Sequence, residues 1–302
     1  MLLFTAAYCY LSPLLSFAGG IAAAALLGLI SARYHYLYIG AAAALALAVS
    51  AAAGGVTGAL CLGVPLVLLG LSLGMGTRIR LNFAGLLFIC TFLYTVRSGM
   101  SIIFVTAQNP DALSLNSFYA TVKQSIDSLS SLGYNFDPNI LAAIDGYMKE
   151  IVLIMMRITP AMLIIAGAVS AFILIEVYKR AARRTSLDVA FLSPFEALHI
   201  PMHLGIMFLL VALLYSASPE GVFSDAALNV IVILMFMFFA CGLSLFDFRL
   251  KVGGMKKATR RIFEIAIIPV SYMLMMVPII AFSVFGLVDS FADFRGRLRK
   301  KD

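Results

Sequence analysis

Apolar residues run along this chain in blocks of about 20, separated by short polar connections. That is the length a helix needs to cross the hydrocarbon core of a bilayer at 1.5 Å of rise per residue. The blocks predict spans at Leu15–Ala32, Leu37–Ala53, Val56–Gly76, Phe83–Val105, Ile158–Tyr178, Leu204–Ser216, Ala226–Phe246 and Ile265–Val288. Leu2–Pro13 is a further, short candidate, and Met1 opens inside an apolar run, so the written start is expected to clip a first helix. One stretch breaks the pattern. Between residues 106 and 148, Leu115, Phe118, Val122, Ile126 and Leu129 recur at steps of three and four, with Asn116, Lys123, Asp127 and Ser128 between them. That period predicts an amphipathic helix. A second helix is expected to start at Asp137-Pro138-Asn139 and run through Leu141, Ile144 and Met148 toward the membrane. The expected fold class is all-α: a polytopic transmembrane helical bundle of about eight spans, with seven to nine as the range. It divides into N-terminal helices over 1–105, an extracytoplasmic amphipathic segment over 106–148 and C-terminal helices over 149–302.

Composition agrees with this pattern. Of the 302 residues 62% are hydrophobic and 12% charged, against roughly 25% charged in a soluble domain, so most of the surface faces something apolar. A net charge of +7 would suit nucleic acid, but the basic residues sit in short clusters between apolar blocks. That is the pattern of loops beside an anionic leaflet. Membrane lipid is therefore an expected partner and nucleic acid is not. The clusters are Arg33; Arg78 and Arg80; Lys179, Arg180, Arg183 and Arg184; and the stretch Arg249 to Arg261. Alternating spans place all four on one face, taken as cytoplasmic, and leave 106–148, with four Asp against one Lys, outside. The basic tail Arg295–Lys301 conflicts if Ile265–Val288 crosses once. A break at Pro269 and Pro278 into a re-entrant pair would return it to the cytoplasmic side. Tyr34, Tyr36, Tyr38 and Tyr178 suit the headgroup level. The N-terminus lacks the basic region of a signal peptide. Cys9, Cys61, Cys90 and Cys241 lie in apolar stretches without CxxC or zinc spacing, and read as small buried hydrophobes.

Small residues form stripes. Gly20, Ala24, Gly28 and Ala32 recur every four positions, as do Gly40, Ala44, Ala48 and Ala52; Gly54 and Gly58, and Gly70 and Gly74, repeat the spacing. Such stripes let helix backbones approach closely where lipid supplies no hydrophobic push. They serve internal packing or the docking of a partner membrane protein. Arg97 lies past the middle of its span. A charge there normally faces a partner or a wet cavity, or snorkels to the interface. Arg157, at the outer mouth of the next span, would either converge with Arg97 on an anionic ligand or anchor the interface. Glu196, His199 and His203 share helical spacing, but Pro194 and Pro201 interrupt any helix there. An interfacial turn, and no metal site or cofactor, is expected. Gly70-Leu71-Ser72-Leu73-Gly74 matches G-x-S-x-G but sits in an apolar helix, without the strand–turn–helix setting of a nucleophile elbow. P-loop and HExxH motifs are absent, and no enzyme is expected.

Three blocks carry a family resemblance: Ser193-Pro194-Phe195-Glu196 followed by Ile200-Pro201; Asn229 opening the run Val230–Phe239, which closes on Gly242; and Phe285-Gly286-Leu287-Val288-Asp289 followed by Asp293-Phe294-Arg295. Their order and spacing resemble the YybS-like family of predicted bacterial integral membrane proteins. In the first half, Ser31-Ala32-Arg33-Tyr34 resembles that family's basic-aromatic turn. The short N-terminus and plain Ala-rich early helices depart from it. The resemblance implies a multi-pass protein of the bacterial inner (cytoplasmic) membrane. It also implies a distant similarity to the substrate-capturing subunits of energy-coupling-factor transporters, which bind a solute from outside and dock onto an ATP-driven module.

Two function classes follow. A solute-binding subunit would meet its substrate at Arg97, Tyr94, Arg157 and Asn229, beneath the segment 111–147. Its Gly/Ala stripes (Gly20, Ala24 and Gly28; Gly40, Ala44 and Ala48) would contact an energising partner. A scaffolding membrane protein would use the same stripes and the basic loop 249–261 to organise partners.

Overall fold

The computed structural model describes residues 13–108, 138–192, 195–217, 221–256 and 277–292, with isolated positions within 114–128 and 259–267 and at 294–295. The all-α expectation is borne out: the described residues contain eight α-helices and no strand. They are α1 (Pro13–Arg33), α2 (Tyr36–Gly58), α3 (Val64–Arg78), α4 (Phe83–Gln108), α5 (Pro138–Arg184), α6 (Met202–Ala217), α7 (Val222–Val252) and α8 (Val277–Ala292). Five stretches are long and apolar enough to cross a membrane: Tyr36–Ala53, Gly55–Arg78, Phe83–Phe104, Glu150–Arg184 and Val222–Val252. The surface confirms the solvent. Phe88 and Ile103 on α4, Leu213 on α6 and Phe223 on α7 face outward, while Lys179, Asp247, Asp289 and Arg295 are buried. A water-facing domain would not expose such aliphatic and aromatic area. The short candidate Leu2–Pro13, up to its last residue, and most of the amphipathic segment lie outside the described residues.

The chain forms two compact units, residues 1–192 and 193–302. In the first, α1 packs on α3 and α5, and α4 packs on α5. Ile21, Ala24 and Ala25 of α1, Leu69 and Leu73 of α3, Leu86, Cys90 and Tyr94 of α4, and Leu174, Ile175 and Tyr178 of α5 form one core. The α1–α3 contact is made by small residues. A Cβ on Gly70 would stand 2.7 Å from Leu27 Cβ, and one on Gly28 would stand 2.9 Å from Leu73 Cβ. One on Gly74 would collide with Ser31. The glycines of the G-x-S-x-G stretch are therefore packing surfaces, and Ser72 donates its hydroxyl to Leu68 O of its own helix at 2.8 Å.

The helix α2 folds back at Gly55, whose φ of +61° lies in the left-handed region open to glycine. A π-helical turn, Ala59–Gly63, follows. The reversal brings Ala42 and Ala46 against Leu66 and Val67. Through this reversal α2 buries Ile39, Ala42, Ala46 and Ser50 and leaves Gly40, Ala44, Ala48 and Ala52 exposed. Two stripes of the same spacing thus have opposite fates: Ala24 and Gly28 are interior, and the α2 stripe is an outer face.

Several boundaries differ from those read in the sequence. The helix expected from Asp137 does not stop at the membrane: α5 runs 47 residues without a break, about 70 Å. Tyr178 is not an interface tyrosine. It is fully buried and shares a hydrogen bond of 2.7 Å with Thr77 Oγ1. Pro278 lies within α8, and Pro269, the other proline of the expected break, lies outside the described residues.

Equal spacing and unequal burial give a direct contrast. Gly28→Leu is expected to destabilise the first unit by about 1–3 kcal/mol or more, as overpacking does, and Ala48→Leu is expected to leave stability within about 0.5 kcal/mol. Unfolding of the purified variants in detergent measures both.

Candidate functional site

Two places gather polar side chains within apolar surroundings, one in each unit. In the first, α4 carries Tyr94 and Arg97 one turn apart on the same face. Arg97 is 97 − 83 = 14 residues past the start of the helix, about 21 Å along it, beyond the middle of a roughly 30 Å core. Phe17, Gly20 and Ile21 of α1 and Leu66 and Leu69 of α3 close a small pocket against the pair. It has room for about one water molecule. Tyr94 is buried and Arg97 half-buried. Gly20 thus lines a polar pocket. Arg157 is exposed on α5 and is not among the lining residues. Asn229 belongs to the second unit, where its amide donates to Asp225 O of its own helix at 2.7 Å.

The second place was not singled out from the sequence as a site. It rests on α7 and α8, whose backbones touch. A Cβ on Gly242 would stand 3.1 Å from the Gly286 nitrogen, and one on Gly286 would stand 2.9 Å from the Gly242 nitrogen. Ser283 Oγ, one turn before Gly286, donates across the seam to Met235 O at 3.1 Å. At this spacing the end of α8 delivers Asp289, fully buried, beside α7. Asp289 Oδ2 lies 3.3 Å from Arg295 Nε and 3.7 Å from His199 Nδ1, and Oδ1 accepts the Phe294 N–H at 3.1 Å. Arg295, itself buried, donates to Cys241 O at 3.2 Å. From α7, Ser244 donates to Phe195 O at 2.6 Å and Cys241 faces Leu198 O at 3.6 Å, which pins the 3₁₀ turn Phe195–Ala197 and so places His199. A second buried pair follows one turn on: Arg260 Nη1 meets Asp247 Oδ1 at 2.7 Å and Asp247 O at 3.1 Å.

His199, Cys241 and Asp289 offer metal-ligand atoms within 4.8 Å of one another. A 3₁₀ turn, Phe195–Ala197, stands where an interfacial turn was expected, and His199 lies beside Asp289. The positive charge of this cluster is Arg295. A divalent ion would share Asp289 with a guanidinium 3.3 Å away, at a like-charge cost that grows in apolar surroundings. The arrangement is a buried ion pair flanked by an imidazole and a thiol. His199, at the partly exposed end, connects it to the exterior.

These contacts correct the charge count along the chain. Arg295 is not a solvated tail residue, and Arg260 is not a solvated loop residue. Within the first unit the other basic clusters do share one end. Arg78 donates to Tyr34 O, Arg33 to Thr185 O at 3.4 Å, and Arg80 pairs with Asp188 at 3.5 Å. A signal for the Asp289 cluster was present in the sequence: a carboxylate closing an apolar block, with an arginine six residues on and a cysteine in mid-span. The three blocks that carry the family resemblance, far apart in sequence, all contribute to this one place.

Breaking a buried pair leaves the other charge stranded. Asp289→Ala is expected to destabilise the second unit by about 3–5 kcal/mol and to speed maleimide labelling of Cys241. The double variant Asp289→Leu/Arg295→Met is expected to cost less than either single change. Unfolding in micelles, with peptide mapping of the labelled cysteine, reads both; single changes costing under about 1 kcal/mol would remove the pair from its structural role.

A family model described as a predicted membrane protein (DUF2232) matches residues 1–290. No curated protein and no solved structure matches the chain.

Proposed function

Since the chain belongs to the DUF2232 family of predicted membrane proteins, we propose that it is a solute-binding component of a membrane transporter, working with a separate energising partner in a bacterial inner membrane. The observation that carries this reading is the pairing of Tyr94 and Arg97 at one pocket well inside the bilayer depth of α4. A guanidinium at that depth normally faces a partner group or a wet cavity, and this one lines the pocket. The pair suits one anionic group, such as a carboxylate, at the end of a larger solute, admitted when α1 opens from α4. Arg97 would bind that group through its fork of donors, and Tyr94 would supply one more hydrogen bond and a flat wall.

The exposed stripe Gly40, Ala44 and Ala48 supports the second half of the reading. Its small side chains leave backbone accessible on a face that nothing else in the first unit covers among the described residues. That is the surface a partner helix requires. A scaffolding role is the competing reading. It is favoured by the pocket itself, which has room for about one water molecule and so admits a solute only with some opening of α1 from α4.

Mass spectrometry of small molecules retained by the protein in lipid nanodiscs separates the two. One enriched anionic metabolite is expected, reduced tenfold or more in Arg97→Ala, the equivalent of about 1.4 kcal/mol. Retention of lipid alone, at full protein recovery, would leave the scaffold. Ala48→Leu is expected to release a co-purifying membrane partner while the solute is retained.

A further inference from the structure

The first unit holds another cleft, independent of the Arg97 pocket, at the end where its basic residues gather. It lies between the last turn of α1 and the turn that follows α5, and has a volume of about 230 Å³. Leu26, Leu29 and Ile30 of α1 and Leu187 form its apolar walls, and Arg33 and Thr185 stand at its polar end. We propose that this cleft is a binding site for an anionic phospholipid, with the phosphodiester on Arg33 and the first part of one acyl chain along Leu26, Leu29 and Ile30.

Charge, depth and wall chemistry agree. Arg33 is exposed and one of its donors leans on Thr185 O at 3.4 Å, a long contact for a group with five donors. Arg183 and Arg184, exposed in the last turn of α5, lie directly before Thr185. Arg78 bonds Tyr34 O and lies 5.5 Å above the Tyr36 ring, which adds a further positive charge at the same end. The nearby carboxylate, Asp188, is engaged by Arg80 at 3.5 Å. Three helices also end here, so their partial negative charges are already offset by these arginines.

Depth follows from the aromatic residues. Tyr34, Tyr36 and Tyr38 are 50%, 71% and 65% exposed beside the cleft, the placement of a tyrosine belt at the headgroup level. A phosphate group at that level is the commonest anion a membrane offers. The walls then choose between lipid and a dissolved anion: free phosphate gains nothing from three aliphatic side chains, whereas an acyl chain continues along them into the bilayer. An anionic head is favoured over a zwitterionic one, because a choline group would add a cation to an end already crowded with guanidinium.

The test uses the full chain, delipidated in detergent, with phosphatidylglycerol, phosphatidylcholine or inorganic phosphate added, followed by native mass spectrometry and thermal unfolding. One retained phosphatidylglycerol per chain and a raised unfolding temperature are expected, with neither effect from phosphatidylcholine. Arg33→Gln is expected to lower phosphatidylglycerol retention about tenfold, the equivalent of about 1.4 kcal/mol, and Arg33→Lys to keep most of it. Arg249→Gln, which removes an exposed arginine elsewhere, is expected to change nothing. Unchanged retention in Arg33→Gln, or an equal loss in Arg249→Gln, would overturn the site in favour of diffuse surface attraction. Stabilisation by inorganic phosphate equal to that by phosphatidylglycerol would overturn the lipid assignment.

Discussion

Lipid gives two helices no reason to hide leucine from it, so the architecture depends on how closely backbones can approach. The chain solves this with missing side chains at a few points. Gly28, Gly70 and Gly74 let α1 settle on α3, and Gly242 and Gly286 let α7 touch α8. Other features are downstream of those contacts. Tyr178 reaches Thr77 because α1 and α3 leave room for its ring beside Gly28. Asp289 reaches the flank of α7 because Gly286, three residues earlier, removes the Cβ that would hold the helices apart.

Once the α7–α8 seam is closed, its electrostatics follow. Asp289 and Arg295 pair where water is excluded, and the pairing is supported by further bonds to Phe294 N and Cys241 O. A buried pair of this kind is weak evidence for stability by itself, but removing one partner strands the other charge. Ser244 adds a hydrogen bond to Phe195 O, and Ser283 shares its hydroxyl between Met235 O across the seam and Ile279 O of its own helix.

Much of this was legible in the sequence. Five of the expected spans were, because bilayer thickness sets their length, and the break between Leu37–Ala53 and Val56–Gly76 falls where the helix turns at Gly55. What stayed hidden was direction. The stripes beginning at Gly20 and Gly40 have the same period, and period alone says that a backbone is accessible without saying what approaches it. Arg295 misled for a related reason. Charge counting treats each arginine as a loop residue, and nothing local separates a solvated arginine from one whose acid sits six residues earlier on a buried helix end. Tyr178 looked like an interface residue beside its basic neighbours, and burial against Gly28 is a fact about another helix. The Arg97–Tyr94 pairing, by contrast, was readable, since both lie on one face of one helix.

The bond between Arg295 and Cys241 spans 54 residues of sequence, and that separation has a temporal meaning. A ribosome adds about 5–20 residues per second, so α7 emerges roughly 3–11 s before the guanidinium it will hold. Until α8 is made, Gly242 presents a bare strip of backbone, and Ser244 and Cys241 have only the upstream turn to bond. The second unit is thus an unfinished surface for several seconds of every synthesis, and the step that completes it is the arrival of a charge, after the apolar helices that precede it have been made.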